Sequence, residues 1–424
     1  MEKSFDLTDA DISLLENWNN ITYTIFIFPF IFLVHHRGLR MPMVYTAALM
    51  VMGAFARCLL YWDVGTSKVM MNVGNFLIGI AGPVAYFCCT CISAAWFPPS
   101  QRTLATAIMS VAQSGGVAFS FVIGPQFVHY LSRDAPDDPE TVRLAIQKLL
   151  YAEFILCAIT LVFVLIYFPS KPPTPPCESA ATARLPLWQS IKEMCSSVNA
   201  LMIFFVYSVS TGIFSGWYSL LNIAVSDVMG ESESGWLGFW MTVIGIGTAI
   251  IAGFVGDRFP RYMKLMVAVL ITISAAFFSW FTLTANQEFG IKYDRVSTWV
   301  AAIVGGSMAA ATQPLCFELG NEVVFPTPEA SVTGFLTGLN NVITMVYLFV
   351  QLIPGIGNHW LNWSQAIAMW ICLPVLFFFK PTFKRLDMDE AAFNNDAFNV
   401  NNNDGNNNNN NNNNGDDSSQ AVAA

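Results

Sequence analysis

SMAAATQPLCFELGNEVVFPTPE, residues Ser307–Glu329, begins inside a long apolar run and carries two carboxylates, Glu318 and Glu322, one helical turn apart. At 3.6 residues per turn, Ser307, Ala311, Pro314, Glu318 and Glu322 share one helix face, made of small residues that end in charge. Carboxylates inside a membrane span are costly and usually face a bundle interior or a wet cavity. A plainer reading ends the span near Cys316 and leaves both acids at the membrane edge. Both readings make the stretch a membrane helix, so the rest of the chain must be of the same kind.

Composition agrees. The 424 residues are 54% hydrophobic and only 12% charged, against about 25% charged in ordinary soluble domains. Apolar runs long enough to cross a bilayer recur at roughly 20–34, 43–62, 70–97, 103–127 and 149–169, then 199–223, 235–256, 263–285, 297–319, 329–352 and 361–379. The expected architecture is therefore all-α and polytopic, with about eleven spans. A polar segment (1–19) leads into a helical half of about five spans (20–169). A central cytosolic loop (170–198) separates it from a second half of six spans (199–385). The tail 386–424 includes a run from Asn401 to Gly415 that is nearly all asparagine, which is expected to stay disordered.

Lysines and arginines orient the chain. With the central loop cytosolic, Arg37, Arg40, Arg102, Arg258, Arg261, Lys264, Lys380, Lys384 and Arg385 all fall on the cytosolic side, which outweighs the opposite side in basic residues. The net charge is −9 and no basic patch invites nucleic acid. Most of the nine cysteines lie within apolar spans, where they behave as small hydrophobes, so no structural disulfide or metal site is expected. His35, His36, His129 and His359 are scattered, with no nucleophile or metalloprotease spacing, so neither an enzyme nor a cofactor is expected. Arg57 and Glu153 sit near span ends, where snorkelling or a local pair is expected. Asn20-Ile21-Thr22 and Asn362-Trp363-Ser364 match the glycosylation pattern on the outer side, each hugging the start of a span.

Two short cytosolic turns resemble each other: His35-His36-Arg37-Gly38-Leu39-Arg40 and Gly253-Phe254-Val255-Gly256-Asp257-Arg258-Phe259-Pro260-Arg261. Both are similar to the duplicated G-x-x-x-D-R-x-G-R-R signature of the major facilitator superfamily. An acid at a helix end can pair with arginines and neighbouring helix termini and so latch the cytosolic gate. Asp257, Arg258 and Arg261 fit that pattern; Arg37, Gly38 and Arg40 follow it with His35 in the place of the acid. Positive-inside topology alone would also account for the arginines.

Trp96-Phe97-Pro98-Pro99-Ser100-Gln101-Arg102, followed by Ala105-Thr106-Ala107-Ile108, resembles the W-F-P-P-x-E-R…A-x-A-I loop of solute carrier family 49. Gly216-Trp217-Tyr218-Ser219-Leu220-Leu221-Asn222, Pro314-Leu315-Cys316-Phe317-Glu318 and Glu322 through Glu329 are similar to it too, with Leu319-Gly320 leaning towards its disrupted-in-renal-carcinoma protein 2 branch. The resemblance runs from Ile12 to about Lys384 and implies a major facilitator fold of two helical halves. The family has twelve spans, and Asp11-Ile12-Ser13-Leu14-Leu15 resembles the approach to its second helix. The first helix is thus expected to be missing, as in a truncated isoform or an incomplete gene model.

Polar residues within spans are the candidate solute ligands: Gln113 and Ser114, then Ser215 and Trp217, then Asn341. Buried polar groups need partners, and either a cavity or a neighbouring helix supplies them. The resemblance places Ser114, Ser215 and Asn341 near substrate-facing positions, while the π-face of Trp217 suits a cationic or flat ring ligand. Glu318 is the proton-coupling candidate, because two acids one turn apart do not both ionise easily in a low dielectric. An ion pair with Arg258 or Arg261 across the gate is the competing structural reading.

The expected function is secondary active transport of a small organic solute by alternating access. Resemblance to the renal-carcinoma branch implies proton-coupled export of a vitamin B6-like solute such as pyridoxine from the lysosome. The receptor-related branch implies choline or ethanolamine, with the plasma membrane as the alternative location. A truncated, non-transporting membrane protein is the reading from a different class. The expected partners are the solute and the lipid bilayer; protein partners stay open.

Overall fold

The computed structural model describes residues 9–59, 64–131, 139–170, 172–173, 186–351, 353 and 357–391. Within them the chain is helical throughout: α1 (Asp9–Arg37), α2 (Arg40–Cys58), α3 (Val64–Trp96), α4 (Arg102–Leu131), α5 (Pro139–Ile166), α6 (Leu187–Ser196), α7 (Val198–Ser219), α8 (Glu231–Arg258), α9 (Met263–Ala285), α10 (Arg295–Val323), α11 (Glu329–Gln351) and α12 (His359–Phe378). A short helix, α13, covers residues 384–391. Among the described residues, ten helices are long and apolar enough to cross a membrane, and α4, at 30 residues, joins them as an eleventh long helix.

Local signals fix several ends. Asp294 accepts a hydrogen bond from the Ser297 amide at 2.8 Å and caps α10, and Ser197 caps α7 by accepting from Ala200. Gly38, at φ +69°, closes α1 in the left-handed region that favours glycine and lets the chain turn into α2.

Several boundaries differ from expectation: α1 already starts at Asp9, inside the expected polar segment, rather than near 20. α5 starts at Pro139 rather than near 149, because a first-turn proline and Glu140 start the helix through charged residues that hydropathy excludes. The central loop contains α6. The last half runs past 385 into α13, so the first residues of the expected tail are helical, while the Asn-rich run and residues 1–8 lie outside the described residues.

In packing, α1 and α2 lie on α3, α2 lies on α5, α7 lies on α11 and α12, and α9 and α8 flank α10. The two sets meet where α8 lies along α4 and where α11 lies along α1 and α3. At the first of these contacts α8 is glycine-bearing for a steric reason. A Cβ on Gly253 would stand 2.7 Å from that of Ala107, and one on Gly256 would stand 3.2 Å from Thr103 Cγ2 of α4 and 2.7 Å from Leu315 Cδ2 of α10. Of the ten membrane-length helices among the described residues, α10 is the most enclosed and α5 the least, with Ile155, Leu156, Phe163 and Ile166 turned outward as a lipid-facing surface. Arg57 and Glu153 pair at 3.1 Å between α2 and α5.

Candidate functional site

Where α4, α7, α8 and α10 converge they line a cavity of about 320 Å³. Its wall takes Ser110, Gln113, Ser114 and Val117 from α4, and Tyr207, Thr211, Phe214, Ser215 and Tyr218 from α7. Met241 and Thr242 come from α8, Ala309, Ala310, Gln313 and Pro314 from α10, with Tyr86 of α3 and Asn340 of α11 completing it. Among the described residues no charged side chain lines it. Several of its polar groups are already engaged. The Thr211 hydroxyl donates to Asn340 Oδ1 at 2.8 Å, and the Tyr218 hydroxyl lies 2.8 Å from that of Thr242. Ser114 donates to its own helix at the Ser110 carbonyl.

Three of the five sequence candidates for solute contact, Gln113, Ser114 and Ser215, meet in this wall. The other two do not. Trp217 follows Ser215 by two residues, about 200° around a helix, so one faces away when the other faces in. Trp217 is fully buried behind the wall, packs edge-on against Phe278 and Phe281, and donates from its indole to Asn362 Oδ1 at 2.9 Å. Asn341 is likewise turned into the helix packing, where its amide donates to the Thr337 carbonyl at 2.8 Å; its neighbour Asn340 takes the place in the wall. Gln313 was missed. The legible signal was a long amide side chain within an apolar span, one residue before Pro314.

Asn362 itself is 1% exposed and its amide nitrogen donates to the Ala224 carbonyl and to Asn286 Oδ1, so this sequon is a packing residue rather than a glycan acceptor.

The basic end of the bundle is closed by a second cluster. Asp257, at the foot of α8, accepts from the backbone amides of Thr103 and Leu104 at 2.8 Å each. It thus caps the first turn of α4, in the other helix set, where unpaired N–H groups and the positive end of the helix dipole favour an anion. Arg258 is exposed, and Arg261 pairs with Asp387 at 2.9 Å and Glu390 at 2.8 Å on α13. In the first copy of the motif Arg37 and Arg40 are exposed, and the backbone N–H of Arg40 donates to the Ser170 hydroxyl; no contact to the other helix set is described at either guanidinium.

α10 does not end near Cys316: it runs to Val323 and carries Glu318 and Glu322 under the bundle, 4% and 8% exposed. Glu318 Oε1 accepts from the Thr106 hydroxyl of α4 at 3.0 Å, and its Oε2 accepts from Arg385 at 3.4 Å. In the competing reading Glu318 pairs with Arg258 or Arg261; in the structure α13 folds back and Arg385 takes that place. Arg385 also stands 3.6 Å from Glu329, Glu322 Oε2 accepts from the Leu386 amide at 3.1 Å, and Asp389 pairs with Arg102 of α4 at 3.3 Å. Glu318 therefore belongs to this closure and not to the cavity wall; at 1.5 Å per residue it lies about 7.5 Å along α10 from Gln313.

A family model described as Major Facilitator Superfamily matches residues 1–350. The chain is 31% identical over 398 residues to the solute carrier family 49 member 4 homolog of Xenopus tropicalis, spanning 91% of this chain and 86% of the relative. It is 25% identical over 395 residues to the choline/ethanolamine transporter FLVCR1 of Mus musculus, spanning 88% of this chain and 67% of that one. Among solved structures, a variant of the E. coli fucose:proton symporter superposes with a TM-score of 0.66 at 14% identity over 89% of this chain and 93% of its own, a likeness of fold. A cavity between two helix sets, with contacts across them at the basic end, fits that membership, and the chain belongs to the major facilitator superfamily, in solute carrier family 49.

Proposed function

We propose that the protein carries a small polar organic solute of the vitamin B6 type, pyridoxine being the nearest example, across the lysosomal membrane by alternating access driven by protons. The observation that carries the solute class is the wall of the cavity. It offers amides from both helix sets (Gln113 and Gln313), hydroxyls and four aromatic rings, without a fixed charge among the described residues. Such a wall favours a neutral ring compound with hydroxyl groups over a carboxylate or phosphate, which would be desolvated there without a counter-charge. Proton coupling falls to Glu318 through the gate: a proton on its carboxylate removes the anion that Arg385 faces and loosens the closure.

A second reading, choline or ethanolamine, is favoured by Tyr86, Tyr207, Phe214 and Tyr218 around the same cavity, since aromatic faces attract a quaternary ammonium.

Uptake of labelled pyridoxine and of labelled choline into proteoliposomes, with and without an inward proton gradient, separates these. The proposal expects gradient-driven pyridoxine uptake that Glu318→Gln uncouples, leaving exchange of pyridoxine across the membrane intact. Choline uptake indifferent to the gradient overturns the solute and the coupling together; gradient-driven pyridoxine uptake unchanged in Glu318→Gln overturns the role of Glu318 alone.

A further inference from the structure

Arg385 has a side chain 1% exposed and yet belongs to no membrane span: it follows the last residue of α12, Phe378, by seven positions. An arginine is rarely so buried without a reason of its own. The reason lies in α13. Arg385 and Asp389 are four residues apart and so share one face of that helix, and the face is turned into the closure. Arg385 reaches Glu318 of α10 and Glu329 of α11, while Asp389 reaches Arg102 of α4, so one short helix ties both helix sets. Its backbone adds the Leu386 amide to Glu322, and its outer side, through Asp387 and Glu390, holds Arg261 at the foot of α8 and α9.

We propose that α13 is a wedge that holds the cytosolic gate shut, with Arg385 as its positioning residue, and that this wedge must withdraw before the cavity can open to the cytosol; the inference rests on the alternating-access reading above. The contacts of α13 are made to elements that must separate when that end opens: α4 on one side, α10 and α11 on the other. The wedge is also built to let go. Nε of Arg385 is buried without a hydrogen-bond partner among the described residues, and the amino nitrogen that faces Glu329 does so at 3.6 Å, an ion pair without a hydrogen bond. Withdrawal into water therefore satisfies donors that the closed state leaves wanting, and offsets the loss of the ion pairs.

The test reads the gate without needing the solute. Ala310→Cys places a thiol in the cavity wall, and a membrane-impermeant maleimide is applied to the cytosolic face of inside-out vesicles, with the extent of labelling at position 310 read by peptide mass spectrometry. Arg385→Ala, and a chain ended after Phe383, are expected to raise the labelling rate at least about tenfold over the parent, as a gate equilibrium shifted by one buried pair does, with Arg385→Lys in between. Equal rates in all these chains, each confirmed monodisperse and of native melting temperature, overturn the wedge. A second arm covers a variant that fails to fold: Arg102→Cys with Asp389→Cys, joined by a short reducible thiol cross-linker. The cross-linked protein is expected to resist labelling at position 310 and to regain it on reduction. Labelling that proceeds equally in the cross-linked and reduced protein overturns the proposal. Because the labelling uses no solute, failure of the pyridoxine assay and failure of the wedge are separate results.

Discussion

Removing the Asp257 carboxylate isolates one contact that crosses between the helix sets without filling or emptying the cavity. Asp257→Ala strands the Thr103 and Leu104 amides of the first turn of α4, both now held at 2.8 Å. Loss of a helix cap costs about 0.5–2 kcal/mol, and loss of an anion at a helix N-terminus adds about 0.3–1 kcal/mol. The carboxylate is half-buried, so screening takes only part of this. A shift of about 1–3 kcal/mol against the closed gate corresponds to a factor of about 5–150 in its population relative to the open one. Asp257→Asn keeps an acceptor oxygen and loses only the charge, so its shift is expected at the lower end. Spin labels at Met41→Cys and Phe259→Cys, two exposed positions at the basic end on opposite helix sets, report the separation by pulsed electron resonance in a background whose native cysteines are replaced. A longer distance should appear in Asp257→Ala, less in Asp257→Asn, and be absent from the parent. A distance distribution in Asp257→Ala that matches the parent would refute the reasoning: the cap would then be a folding contact that persists in both gate states.

Two further outcomes test the cavity. Gln313→Ala is expected to raise KM for the transported solute about 3–10-fold by removing one hydrogen bond, while maximal uptake and melting temperature hold; an unchanged KM removes Gln313 from the solute's path. Trp217→Phe leaves Asn362 Oδ1 buried without its indole donor, so stability in detergent should fall by about 1–3 kcal/mol at constant KM. The opposite pattern, a raised KM in a fully stable protein, would return Trp217 to the cavity.

How far the sequence could be read depended on the length scale of each signal. Spans were legible because crossing a bilayer requires some twenty apolar residues, and helix starts such as Asp294 before α10 follow from capping chemistry. Asp257 was legible through the resemblance of Gly253–Arg261 to the superfamily signature, which carries an acid at that position. The phase of a helix was harder. Ser215 and Trp217, or Asn340 and Asn341, are separated by 200° and 100° around their helices, and an almost uniformly apolar span carries little amphipathic contrast to say which side faces in. Arg385 was out of reach. It lies past the last apolar run, and its burial comes from α13 folding back against α4, α10 and α11, a tertiary event with no local sequence mark.

Helix α10 joins the two clusters physically. Gln313 faces the cavity, Glu318 meets Arg385 in the closure, and Pro314 stands between them. Proline has no amide hydrogen to give to the carbonyl four residues back, here that of Ala310, which itself lines the cavity. The helix thus lacks one ladder hydrogen bond just where the cavity-lining and closure residues adjoin. A bend there changes the angle between the Gln313 and Glu318 ends without melting either, because the segments on both sides keep their own ladders. In the proposed cycle, such a bend would link solute occupancy to the hold of α13 on Glu318 through one short stretch of backbone. The small residues, proline and two acids of residues 307–329 would supply what that proposed linkage asks for: room for the solute, a place to bend, and charge for the latch.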